Sequence, residues 1–148
     1  MEKAIIEVFG PRFAPGSKLL YLGDTAKKDI ILDKDSLETL GIPYSVHDKF
    51  PDVILHHEEN GWLFLIEAVT THGPISPGRL TELRGIIAGC PLSPVFVTVF
   101  PDFKTFKKFA DTIAWETEVW IKELPSHLIH YNGDKFLGPG AAVEDDGE

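Results

Sequence analysis

The sequence predicts an α/β fold, a mixed β-sheet flanked by helices, and three observations carry that expectation. Residues 53–56 and 62–70 are runs rich in Val, Ile, Leu, Phe and Trp, and Asn60-Gly61 between them is a strong hairpin signal. Residues 95–100, VFVTVF, form a continuous apolar stretch of the kind buried on both sides of a sheet. Around that stretch lie two segments with helical spacing: Leu80, Leu83, Ile87 and Cys90, then Phe103, Phe106, Phe109, Ala110 and Ile113. Helices that interleave with strands of both directions give this class.

Taken in order, residues 4–9 read as a short strand stopped by Gly10-Pro11, and residues 12–17 as a Pro/Gly loop. Residues 18–22, KLLYL, are a second strand that ends at Gly23-Asp24-Thr25, and residues 30–32 a short apolar run. Asp35-Ser36 is expected to cap a helix with Leu37 and Leu40 on one face and Gly41 as its stop. Residues 44–50 connect to the hairpin, with His47 and Asp48 in solvent. After the hairpin, Ser76-Pro77 fits an N-cap followed by proline in the first turn. On the helix that follows, Arg79 and Glu82 fall outside the buried stripe, and Gly85 and Gly89 would allow close packing on the sheet. Pro91 ends it. Asp102 caps the next helix, whose Lys104, Lys107 and Lys108 read either as a solvated face or as phosphate contacts. Residues 118–122 and 127–131 alternate like edge strands, Asn132-Gly133 turns the chain, and the end should fray.

The 148 residues, 43% hydrophobic with ten Phe and three Trp, suit one domain with a real core, expected over residues 1–140, followed by an acidic tail over 141–148. No apolar run is long enough to span a bilayer and no signal-peptide pattern opens the chain. The single Cys90 fits a reducing compartment, so a cytoplasmic location is expected. A net charge of -9 weighs against indiscriminate nucleic-acid binding. Part of that charge is local, in Glu144, Asp145, Asp146 and Glu148, and a metal-dependent site also gathers acids.

The chemistry concentrates in the hairpin. Asp52 opens its first run, and Glu67 sits among Phe64, Leu65, Ile66, Ala68 and Val69, where a carboxylate is costly without a cation or donor. A hairpin that folds back places the two acids side by side, as a pair of hard oxygen ligands suited to Mg²⁺. Asp24 reads either as a cap for the following segment or as a third acid. His56 and His57 lie on opposite strand faces, so both cannot enter one site. His72 reads as a water-orienting imidazole or as a loop-stabilising hydrogen bond. Zinc spacings, a Gly-rich phosphate loop and a serine nucleophile elbow are absent from the sequence.

Pro51-Asp52 on one strand and Glu67-Ala68-Val69 on the next resemble the PD-(D/E)xK nuclease core. More broadly, the chain resembles the C-terminal catalytic region of the BsuBI/PstI family of type II restriction endonucleases. The resemblance runs in series through residues 21–28, 51–55, 63–70, 72–74, 82–83, 96–102 and 132–139. It implies a restriction-endonuclease-like core, Mg²⁺ with Mn²⁺ as substitute, double-stranded DNA as substrate, a CTGCAG-like palindrome and a homodimer. Asp52, Glu67, Asp24 and Arg79 would be the catalytic residues. Asp52, Glu67 and the Ala68 carbonyl would hold the metal, and Lys27, Lys28 and Arg79 would meet DNA. Three departures remove positive charge: Val69 where a lysine is usual, Gly78 where a Lys tends to precede the arginine, and Gly140 where Arg is commoner. Family members also carry an N-terminal region implicated in DNA recognition. The alternatives are a non-catalytic module of the same fold that binds DNA or a partner, and a nuclease of different nucleic-acid specificity.

Overall fold

The hairpin predicted at Asn60-Gly61 organises the sheet. In the computed structural model, which describes residues 1–24, 28–70 and 73–131 (without the side chains of residues 24 and 28–32), β3 (Val53–His57) pairs antiparallel with β4 (Trp62–Ala68). The register runs from Val53 opposite Ile66 to His57 opposite Trp62. Gly61, at φ 68°, takes the left-handed turn conformation that favours glycine.

Among the described residues seven strands form one sheet, in the order β2-β1-β3-β4-β5-β6-β7. The others are β1 (Lys18–Asp24), β2 (Lys28–Leu32), β5 (Ser93–Phe100), β6 (Thr117–Ile121) and β7 (Leu128–Tyr131). β4, β5 and β6 run parallel and the remaining pairs antiparallel, which makes the sheet mixed, as expected. Parallel neighbours need long crossovers. Two of the helices, α4 (Pro77–Ile86) and α5 (Phe103–Phe109), supply them. Among the described residues no helix is long and apolar enough to cross a membrane.

Burial follows the period of two. Leu63 and Leu65 pack with Leu37 of α3 (Lys34–Thr39), with Ile75, and with Leu83 and Ile87. Phe64, Ile66, Val97, Val99 and Trp120 pack on the opposite face against Ile5 and Phe9. A third cluster under α5 joins Val69, Phe100, Phe106, Ile113, Val119 and Ile121.

Four expectations change. Residues 4–9 are helical: α1 (Glu2–Ala4) runs through a wider π-turn (Ile5–Phe9) into α2 (Gly10–Phe13). A strand would have set Glu7 on one face with Ile5 and Phe9, whereas four-residue spacing buries Ile5 and Phe9 and leaves Glu7 and Val8 exposed. Pro11 lacks an N–H, and the wider turn lies just ahead of it. The cap of α3 is Asp33, whose carboxylate accepts the Ser36 amide at 3.1 Å, rather than Asp35-Ser36. β6 is an inner strand with all five residues buried, and only β7 of the predicted edge pair lies at an edge. Its alternation misleads because Glu118, 3% exposed, is paired with His130 of β7. Gly89 meets the turn after α3 and not the sheet: a Cβ at Gly41, φ 82°, would lie 2.5 Å from the Gly89 carbonyl oxygen, while Gly85 faces open space. The predicted turn at Asn132-Gly133, Gly140 and the acidic tail lie outside the described residues.

Candidate active site

The strand directions bring the C-terminal ends of β1, β4 and β5 and the N-terminal end of β3 to one end of the sheet. The β3–β4 pairing ends at Val53 opposite Ile66, and Asp52 and Glu67 are the next residues of the two segments at that end. The Asp52 carboxylate accepts the Ala68 amide at 2.7 Å, and its carbonyl accepts the Gly23 amide at 2.8 Å. Asp52 is thereby tied to both neighbouring strands. Asp24 follows Gly23 as the last residue of β1, and its backbone pairs with Lys28 across a strand hairpin. The strand β2 is the next described element. The side chains of Asp24 and Lys28, and the whole of Lys27 and His72, lie outside the described residues.

Arg79 reaches the same place from α4. Ser76 starts that helix as predicted: its hydroxyl accepts the Arg79 amide at 3.2 Å, with Pro77 in the first turn. Thr98 of β5 fixes the approach by accepting the Ile75 amide at 3.1 Å. With Leu83 and Ile87 buried, Arg79 sits on the flank of the helix nearest the sheet end. Its Nε donates to Glu67, one Nη donates to Glu82 at 2.5 Å, and the other to the Phe50 carbonyl at 3.2 Å. The side chains of Arg79 and Glu67 are only 21% and 15% exposed. Burial alone would lower the Arg79 pKa, but hydrogen bonds and charge from Glu67 and Glu82 outweigh it and raise the value. The group stays a cation throughout the working pH range.

Glu82 is the site neighbour that the sequence reading did not assign. The signal was available: Glu82 lies three residues after Arg79, a spacing at which helical side chains meet.

Neither lysine position departs quietly. Val69, 3% exposed, is packed among Phe100, Phe106 and Ile113. A lysine there would put its chain into an apolar cluster. Gly78 is open, with nothing within 4 Å of an added Cβ. His57 accepts the Asn60 amide at 3.3 Å at the opposite end of the hairpin, which removes His56-His57 from the site. Lys104, Lys107 and Lys108 are exposed on the outer side of α5.

The donor set suits a hard divalent cation. The carboxylates of Asp52 and Glu67 suit Mg²⁺, which keeps several waters and takes few protein ligands. Among the described residues no group of three His, Cys, Asp or Glu is placed as a metal cage, so a closed zinc-type centre is not offered by them.

Residues 1–134 match the family described as the BsuBI/PstI restriction endonuclease domain. The chain is 47% identical over 137 residues to the type II restriction enzyme BsuBI of Bacillus subtilis, covering 93% of this chain and 43% of that one. It is 36% identical over 130 residues to the type II restriction enzyme AplI of Arthrospira platensis, covering 81% of this chain and 39% of that one. The solved structure of SdaI restriction endonuclease is similar at a TM-score of 0.85 and 43% identity, over 95% of this chain and 44% of that one. The chain therefore spans less than half the length of each.

Proposed function

The chain belongs to the BsuBI/PstI restriction endonuclease domain family, and from that premise we propose that it is the catalytic domain of a type II restriction endonuclease. The reaction is hydrolysis of phosphodiester bonds in double-stranded DNA with Mg²⁺, which Mn²⁺ can replace, at a CTGCAG-like palindrome. The single observation that supports it most is the meeting of Asp52, Glu67 and Arg79 at one sheet end.

When bound, the divalent cation acidifies the attacking water and relieves charge building on the phosphate. The chain's own part is to place the ligands. The Ala68 amide orients Asp52, and Asp52, Glu67 and the Ala68 carbonyl would hold the cation. Arg79 stabilises charge on the phosphate and cannot donate a proton, because a guanidinium does not titrate here. Asp24 is a further acid at the same sheet end, and Lys27 and Lys28 contact phosphate. His72, four residues past Ala68 in the sequence, would orient water or make a stabilising hydrogen bond. Two copies acting as a dimer in the cytoplasm complete the reading.

A second reading has its own support. Val69 is buried and Gly78 carries no side chain, so the lysine usual to such sites is missing from both places. A non-catalytic domain of the same fold is consistent with that loss. Incubating a plasmid that carries CTGCAG with Mg²⁺, then Mn²⁺, beside an Asp52→Ala control separates the two. Discrete fragments that vanish in the control are expected. Diffuse nicking keeps the chemistry and removes the sequence specificity; no cutting at high protein concentration leaves the non-catalytic reading.

A further inference from the structure

Three nitrogens of one guanidinium serve three different acceptors at this site. Arg79 Nε meets Glu67 on β4, one Nη meets Glu82 on its own helix, and the other meets the carbonyl of Phe50, two residues before Asp52. Only Glu67 among these acceptors is a candidate metal ligand. A divalent cation drawn to Glu67 repels the guanidinium and competes for the same carboxylate. Glu82 and the Phe50 carbonyl are then the groups left to hold Arg79. From this division we infer that Glu82 is a positioning residue of the site. It shares the guanidinium with Glu67, so that an entering cation can displace Arg79 from that carboxylate. It then keeps the guanidinium at the sheet end as the fixed positive charge of a chain with Val at position 69 and Gly at 78.

The inference rests on the nuclease reading above and deepens it. Glu82 touches neither Asp52 nor Glu67 in the hydrogen bonds described, so its action passes through Arg79. At 41% exposure its side chain can be replaced without opening the core. An ordinary surface ion pair at this spacing would leave metal affinity untouched, which makes the two roles measurably different.

The test uses Mn²⁺ alone, without DNA, titrated into the full chain while the free ion is counted by electron paramagnetic resonance. Glu82→Gln, Arg79→Met (which keeps an aliphatic stem) and the double substitution form a cycle, with Asp52→Asn and Glu67→Gln as controls. Melting in chelator confirms that each variant folds. With Arg79 present, Glu82→Gln is expected to weaken Mn²⁺ binding roughly threefold to tenfold, within the coupling range of a contacting network. With Arg79→Met, Mn²⁺ binds more tightly than in the unsubstituted chain, and Glu82→Gln then changes affinity by less than about twofold. Unchanged affinity in Glu82→Gln overturns the inference alone. Equal weakening with and without Arg79 also overturns it, and makes Glu82 a direct ligand. If the unsubstituted chain shows no Mn²⁺ binding that depends on Asp52 and Glu67, the nuclease reading falls and carries this inference with it.

Discussion

Val69 and Gly78 pose one question at the scale of the residue: where this chain can accept a lysine. Position 69 is closed, since an ammonium there would stand among Phe100, Phe106, Ile113, Val119 and Ile121. Position 78 is open, in the first turn of α4 and one residue before Arg79. Val69→Lys should therefore cost about 3 kcal/mol or more, the scale of an unpaired buried charge. Gly78→Lys should change stability by less than about 1 kcal/mol, because relief of a helical glycine offsets a cation at the positive helix end. Denaturant midpoints check both. If the nuclease reading holds, Gly78→Lys should also raise plasmid cleavage by about tenfold or more, the scale of one added electrostatic stabiliser. What the sequence disclosed at this scale follows the same division. The Asn60-Gly61 turn fixes the register of β3 on β4, and the expectation that Asp52 and Glu67 lie side by side extends that register by one step. Glu82 could be set beside Arg79 from their spacing but not at the site, because the side that a helix turns toward a site depends on how it docks, and docking is set by contacts distant in sequence.

Elements were legible where their ends carry chemistry. Ser76-Pro77 and Asp102 were read correctly as helix starts, while the cap of α3 fell two to three residues early, at Asp33. The N-terminal helix was misread because a short run of Ile, Val and Phe suits strand and helix equally, and only its partner face decides. Two caps also carry a pH prediction. The Ser36 amide, then Lys18, holds the Asp33 carboxyl below its ordinary 3.8. Hydrogen bonds from Thr105 do the same for Asp102, with a smaller contribution from Lys104 and Lys108. A depressed carboxyl pKa stabilises the fold fully above the unfolded value, and the contribution is lost as pH falls through the folded value. Stability should therefore decline below 3.8 in a way that Asp33→Asn and Asp102→Asn each blunt. Asparagine keeps the acceptor oxygen, so the helices should persist. Melting temperature followed from neutral pH down through the acid range tests this, and parallel curves for the variants and the unsubstituted chain would contradict it.

At the scale of the whole molecule, charge and symmetry set the terms. On the proposed function, a chain of net charge -9 does not bind DNA by bulk attraction, so its acids would have to be offset where DNA approaches. The sheet end that gathers Asp52 and Glu67 also receives Arg79, and a divalent cation would complete the balance. A palindrome adds a constraint of its own: its two scissile bonds are related by a two-fold axis, and two copies of one site related by the same axis reach both. On the proposed function, sedimentation with a short CTGCAG duplex and Ca²⁺, which is a poor substitute in hydrolysis but a hard oxygen-seeking cation, should show two chains per duplex. Linearisation of plasmid should then rise faster than in proportion to protein concentration, since both strands are cut only when two chains assemble. One chain per duplex, with nicked circles accumulating ahead of linear product at every concentration, would mean that each site acts alone. The symmetric arrangement would then have to be abandoned, while the hydrogen bond that ties Asp52 to β4 would stand, because it forms within a single chain.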